Sequence, residues 1–294
     1  MRPPPRLNPI PIRRCASCAI FCRARPVFSL PATNEGVMTI SVGATGLVGW
    51  KIVQRIEARQ IQAVARDPVV QRATTYFRDT ISRTTQAEDL VKDYRMLSTA
   101  LSAFGLEADL PNKAFIRKVL ESDVSDRSSL VNRLADKRYL RLAEAFGFGA
   151  KAVPGDLGET VSTAFVQREF ERRIGEGDDS LRLGLNARRE LQRMGERDST
   201  DRTLWFEVIG NAPLRKVFQG AFGFSESYGR LPIDRQLEEY TKASERLLGS
   251  SSFKDISSPE AIDRLVQTYM ARSQLATFPA ANRYSAALTL LQNA

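Results

Sequence analysis

Residues 39–49 read Thr-Ile-Ser-Val-Gly-Ala-Thr-Gly-Leu-Val-Gly, and Gly43, Gly46 and Gly49 have the spacing of a dinucleotide-binding turn. In such a turn the glycines let backbone amides and a helix N-terminus approach a pyrophosphate. The alternating run before Gly43 would be a first strand. Ile61-Gln62-Ala63-Val64-Ala65-Arg66-Asp67 would be a second, with Arg66 on a ribose phosphate. That chemistry is hydride transfer by an NAD(P)-dependent oxidoreductase, but the surroundings oppose it. A dinucleotide fold repeats its strand–helix unit several times, and the next 200 or so residues carry helical patterning instead. No Tyr-x-x-x-Lys pair is present as a proton donor, and Trp50 stands directly after Gly49, where a small or aliphatic residue packs helix on strand. The sequence therefore predicts that Gly43, Gly46 and Gly49 lead into a first helix at about Leu47. No cofactor is expected.

Other catalytic constellations are also missing. The chain contains no histidine, which removes Ser-His-Asp and Cys-His triads and imidazole-ligated metals. Cys15, Cys18 and Cys22 are the only cysteines, and a closed soft-metal site needs a fourth ligand that the chain does not offer. No metal is expected. Ser251-Ser252-Phe253-Lys254 has the spacing of penicillin-interacting enzymes but none of their companion motifs. Asp178-Asp179 and Glu238-Glu239 are adjacent acids, which splay about 100° apart on a helix and read as cap and solvent-face residues. The reading is of a non-enzymatic protein.

The formal net charge of +9 is unevenly placed. Residues 1–37 hold six arginines against Glu35, together with seven prolines and all the cysteine. Proline and arginine without apolar periodicity cannot build a core. This stretch is expected to be a disordered extension, or a misassigned start upstream of Met38. The remaining 257 residues carry 37 bases and 33 acids, interspersed as in Arg168-Glu169-Phe170-Glu171-Arg172-Arg173, which reads as solvated helix faces. No nucleic-acid partner is expected. No stretch approaches the ~20 apolar residues of a membrane span, so a soluble protein is expected.

The elements that position all this read as helices. Asp67-Pro68, Leu110-Pro111 and Ser258-Pro259-Glu260 are helix starts. Thr85-Gln86-Ala87-Glu88 has the form of a capping box opening an apolar stripe from Leu90 to Phe104. Gly175, Gly195 and Gly249 stand where amphipathic runs stop. Strand-length β-branched runs are nearly absent after residue 70. The fold class is all-α, a multi-helix globular bundle of about ten helices over residues 38–294, with a possible sub-boundary near 150–158. Three segments recur: Ala103-Phe104-Gly105-Leu106, Ala145-Phe146-Gly147-Phe148 and Ala221-Phe222-Gly223-Phe224. Each reads as a helix C-terminus with a left-handed glycine, onto which the next apolar residue folds back. The alternative is a partner groove. The polar Ser225-Glu226-Ser227 after the third segment makes Phe222 and Phe224, with the basic Arg215 and Arg138, the candidates for partner contact.

Several segments resemble a bacterial family of unknown function, numbered twelve-seventeen and found mostly in alphaproteobacteria. Among them are Gly46-Leu47-Val48-Gly49-Trp50, Ala103-Phe104-Gly105-Leu106 and Phe115-Ile116-Arg117-Lys118-Val119-Leu120. The clearest runs from Asn132-Arg133-Leu134-Ala135-Asp136-Lys137-Arg138-Tyr139 on to Gly149, with weaker ones such as Leu185-Asn186-Ala187-Arg188-Arg189-Glu190-Leu191. The resemblance spans about Met38 to Ser273. It implies no catalytic residue or cofactor. It implies a place among flagellar basal-body and motor genes, hence an accessory protein of flagellar assembly or motility. Such a protein would be cytoplasmic or flagellum-associated, working by contact with basal-body, motor or export proteins. An exported structural component of the flagellum is the other reading the resemblance allows.

Overall fold

A buried carboxylate begins the second helix. Asp67 accepts a hydrogen bond from Val69 N at 2.8 Å, and Pro68 occupies the first helical position. The computed structural model describes residues 40–149 and 154–277. The chain divides into units of residues 1–36 and 37–294, and every described residue lies in the second. The expected disorder of residues 1–37 and the cysteine cluster lie outside the described residues.

In chain order the helices are α1 (Gly46–Ala65), α2 (Pro68–Ile81), α3 (Ala87–Lys92), α4 (Tyr94–Phe104), α5 (Lys113–Leu120), α6 (Leu130–Arg133) and α7 (Lys137–Phe146). They continue as α8 (Leu157–Gly177), α9 (Asp179–Gly195), α10 (Asp201–Gly210), α11 (Ala212–Phe222), α12 (Ile233–Leu248), α13 (Phe253–Ile256) and α14 (Pro259–Thr277). Among the described residues there is no strand, and the all-α expectation holds. Eleven of these helices run eight residues or more, close to the expected ten. The rest are short helices of four to six residues, below the length at which periodicity is readable.

Local chemistry corrects three expected boundaries. The capping box at Thr85 does not form, since Gln86 precedes α3 without any side-chain cap. The apolar stripe is instead cut at Asp93, whose Oδ1 accepts from the amides of Arg95 and Met96 at 2.9 and 3.1 Å and starts α4 afresh. The helix from Ala87 stops at Lys92, and a carboxylate on two free amides begins the next one. Helix α5 starts at Lys113, two residues beyond Pro111. Gly175 and Gly195 lie inside α8 and at the last position of α9, whereas Gly249 does end α12 at φ 87°.

The three recurrent segments are helix ends of the expected kind. Gly105, Gly147 and Gly223 have φ of 70°, 62° and 77°. Leu106 N donates to Leu101 O at 2.8 Å and Phe224 N to Gln219 O at 2.9 Å, the six-to-one bond of a Schellman motif. At Gly147 the simpler bond from its own amide to Ala143 O closes the turn at 3.0 Å.

Buried side chains gather in two clusters. One joins α1, α9, α10, α11 and α14 around Trp50, Trp205, Phe218 and Val266. The other joins α2 to α5, α7 and the start of α8 around Phe77, Leu101 and Phe146. Helix α8 serves both, giving Leu157 and Val161 to the second cluster and Phe170 and Ile174 to the first. It starts within the expected sub-boundary, of which residues 150–153 lie outside the described residues.

Candidate functional site

Asp178 turns the chain from α8 into α9. Its Oδ1 accepts from Ser180 N at 2.8 Å, and its Oδ2 accepts from Gly46 N at 3.2 Å, so one carboxylate serves the N-termini of two helices. The pairs Gly175–Arg182, Glu171–Arg189 and Arg168–Asn186 then follow in register, so α9 runs antiparallel to α8. This seam carries the most concentrated charge in the described structure.

Glu190 lies at its centre, with a side chain only 4% exposed. It accepts from Arg141 Nη1 and from Arg189 Nη1, both at 2.7 Å, and from Arg193 Nη2. Glu171, equally buried, accepts from Arg189 Nε at 2.8 Å. Arg168 approaches both carboxylates at 3.7 and 3.9 Å and donates to Asn186 Oδ1 at 3.2 Å. Four guanidiniums therefore meet two carboxylates. Burial, and after it the charge of Arg189, lower Arg168 to about 10 against the pull of Glu171 and Glu190. Burial also lowers Arg141, against the pull of Glu190. Burial opposes the charge of Arg189 too, but Glu171 and Glu190 outweigh it and hold that guanidinium above its ordinary value. A separate buried pair, Arg173 to Asp67 at 2.9 Å, ties α8 to the start of α2.

Outside this network the seam opens into a groove of about 730 Å³. Helix α8 contributes Glu159, Thr160, Thr163, Ala164, Gln167 and Arg168, and α9 contributes Leu185, Arg188, Arg189 and Gln192. These spacings of three and four place each set on one helix face. Glu57 of α1 pairs with Arg188 across the groove wall.

The sequence-predicted residues fall elsewhere. Among the described residues no strand precedes Gly43, and α1 begins at Gly46, one residue from the expected start. Backbone conformation or close packing calls for glycine at each of the three positions. Gly43 and Gly46 have φ of 71° and 58°, and a Cβ on Gly49 would lie 2.4 Å from Ala44 O. Trp50, which stood against a phosphate cradle, is fully buried and donates to Asp263 Oδ1 at 3.0 Å. The partner candidates are already engaged within the chain. Phe224 stacks on Tyr228 at 4.1 Å, and Phe222 packs edge-on to Tyr240 at 5.9 Å, both half-buried against the first cluster. Arg215 donates to Ile209 O at 2.9 Å, and Arg138 to Asp136 and to Gly105 O. They close helix ends.

Residues 103–262, more than half of the chain, match the family described as protein of unknown function, DUF1217. The chain belongs to this family. The crystal structure of protein AGR_C_984 from Agrobacterium tumefaciens is similar to it, with a TM-score of 0.66 and 23% identity over 82% of this chain and 98% of that one. No curated protein matches. The family match covers α8 and α9 entirely, and with them the arginine–glutamate network and most of the groove.

Sequence reasoning missed that network. The run from Arg168 to Arg173 looked solvated, yet Glu171 and Arg173 are 2% and 1% exposed while Arg172 faces water. The available signal was Phe170 and Ile174, four apart, which turn part of the run inward. Among the described residues no three His, Cys, Asp or Glu side chains gather as a metal site requires, and no helix is long and apolar enough to cross a membrane.

Proposed function

We propose that this protein acts by binding another protein, and that the partner is a component of the flagellar basal body, motor or export apparatus. The observation that carries the binding reading is the α8–α9 groove. It is open, it runs along two helix faces, and it sets Ala103, Ala164 and Leu185 among polar and charged side chains, which leaves room for a partner helix held by both apolar and charged contacts. The charged groups behind it are committed to one another, holding two helices rigidly in register. The flagellar half of the proposal rests on the family resemblance.

The test is affinity purification from motile cells with the wild-type chain and with Thr163→Trp. Thr163 is an exposed groove residue away from both core clusters, so the indole fills the groove without disturbing the fold. A flagellar protein retained by the wild type and lost with Thr163→Trp supports the reading. Equal recovery with both chains, or no flagellar protein with either, refutes it.

A further inference from the structure

The groove is electrically two-ended. Its lining along α8 runs from Asp156, just before the helix, and Glu159 to Arg168. At the Arg168 end α9 adds Arg188 and Arg189. From Glu159 to Arg168 is nine residues, or roughly 14 Å of helix at 1.5 Å per residue. Between the charged ends lie Thr160, Thr163, Ala164 and Gln192, short or flexible side chains that leave room for a neighbour.

The two ends differ in how far their charge is met. Glu159 is paired with Arg78 at 3.1 Å but stays two-thirds exposed, so its field reaches into solvent. Arg188 is paired with Glu57. Arg168 and Arg189 share Glu171 and Glu190 with Arg141 and the part-exposed Arg193, so neither carboxylate is held by one guanidinium alone. Arg168 Nε and the Asn186 amide nitrogen have no hydrogen-bond partner there. The three guanidiniums at that end are only 17–27% exposed, and charge so placed is less screened than charge in water.

We infer that the groove receives a partner helix of about three turns, carrying acidic residues at the end over Arg168, Arg188 and Arg189 and basic residues at the end over Asp156 and Glu159. This rests on the interaction reading above and names the partner's chemistry. Complementary ends fix the direction in which the helix lies, and like charges at either end reject the reversed one.

The experiment places a photo-crosslinking amino acid at Thr160 or at Gln167 of the full chain in motile cells, with the exposed Val69 and Tyr94 as positions away from the groove. Both groove positions should capture one segment of one protein. The residue captured from Gln167 should lie within a turn of an aspartate or glutamate, and that captured from Thr160 within a turn of a lysine or arginine. Arg188→Gln and Glu159→Lys should each lower the yield at least tenfold in protein that circular dichroism shows to be folded. If one of them fails to fold, the other carries the test. Capture of a second copy of this chain, of its own residues 278–294, or of a segment without that charge pattern overturns the inference. So does capture of a partner only at Val69 or Tyr94, which leaves the interaction reading standing. Absence of any captured protein at all four positions overturns both.

Discussion

Replacing Glu190 by glutamine keeps the shape of the side chain and removes one charge from the most crowded point of the fold. The carboxylate is 4% exposed and accepts from Arg141 and Arg189 at 2.7 Å and from Arg193. Without it, Arg141 and Arg193 lose their carboxylate in this network, and Arg168 and Arg189 keep only Glu171. Removing one partner of a buried pair costs about 3–5 kcal/mol, because the other charge stays buried. The amide oxygen of glutamine still accepts one bond, so the lower end, about 3 kcal/mol, is expected. That is a large share of the 5–15 kcal/mol that stabilises a typical domain. Equilibrium urea unfolding measures it. Fluorescence reports on Trp50 and Trp205, both buried in the first cluster, and far-UV circular dichroism reports on all helices. Because α8 belongs to both clusters, the two signals should fall together. Adding Arg141→Met to Glu190→Gln should recover part of the loss, since it removes one unbalanced cation. A loss below about 1 kcal/mol, the range of solvent-exposed pairs, would refute the reasoning that this network is buried and coupled.

Other outcomes follow from the same structure. Phe146, fully buried and in ring contact with Phe77, Phe104 and Phe148, should cost about 3–5 kcal/mol when truncated to alanine, and the half-buried Phe222 less, by denaturant unfolding. Gly147→Val should lower the melting temperature more than Gly147→Ala, since a Cβ at φ 62° already costs roughly 1–2 kcal/mol. Asp93→Ala should cost about 1 kcal/mol through the lost α4 cap, and Thr85→Ala nothing measurable, the reverse of what the capping-box pattern implies. With no histidine, stability followed by thermal melts should be flat from about pH 6 to 8. It should then fall as pH drops from about 5. At Asp67, Asp136 and Glu169 burial pushes the carboxyl up, but hydrogen bonds and neighbouring arginines outweigh it and hold each below its ordinary value. Such groups stabilise the fold above their unfolded pKa and lose that contribution as pH falls through the folded one. Glu144, raised chiefly by burial, works in the opposite direction.

Much of the fold was legible because helix ends are written in local chemistry. Asp67-Pro68, Ser258-Pro259 and the three Ala-Phe-Gly endings use side-chain acceptors and a Cβ-free backbone that act within a few residues, so sequence alone locates them. Thr85 shows the limit, since the pattern marks a helix start within two residues but neither its cap nor the break at Asp93 inside the apolar stripe. The glycine motif was weighed by its surroundings, and those surroundings are helical. The groove was illegible for a different reason. Arg168 and Arg189 look like any solvated charges until α9 folds back along α8 and brings Glu171 and Glu190 together with them. That juxtaposition depends on the turn at Asp178, whose second role as acceptor for the α1 amide of Gly46 spans 132 residues. Phe222 and Phe224 were singled out for the polar residues after them, but Tyr228 and Tyr240, folded against them, cover much of their surface.

The central claim is that the α8–α9 groove is the working surface of a flagellar interaction protein, and swimming tests it most directly. A strain carrying Thr163→Trp at the native locus should make the protein at wild-type level with an unchanged melting temperature, yet spread in soft agar no further than a strain lacking the gene. Spreading equal to wild type, with the groove filled and the protein folded, would contradict the claim.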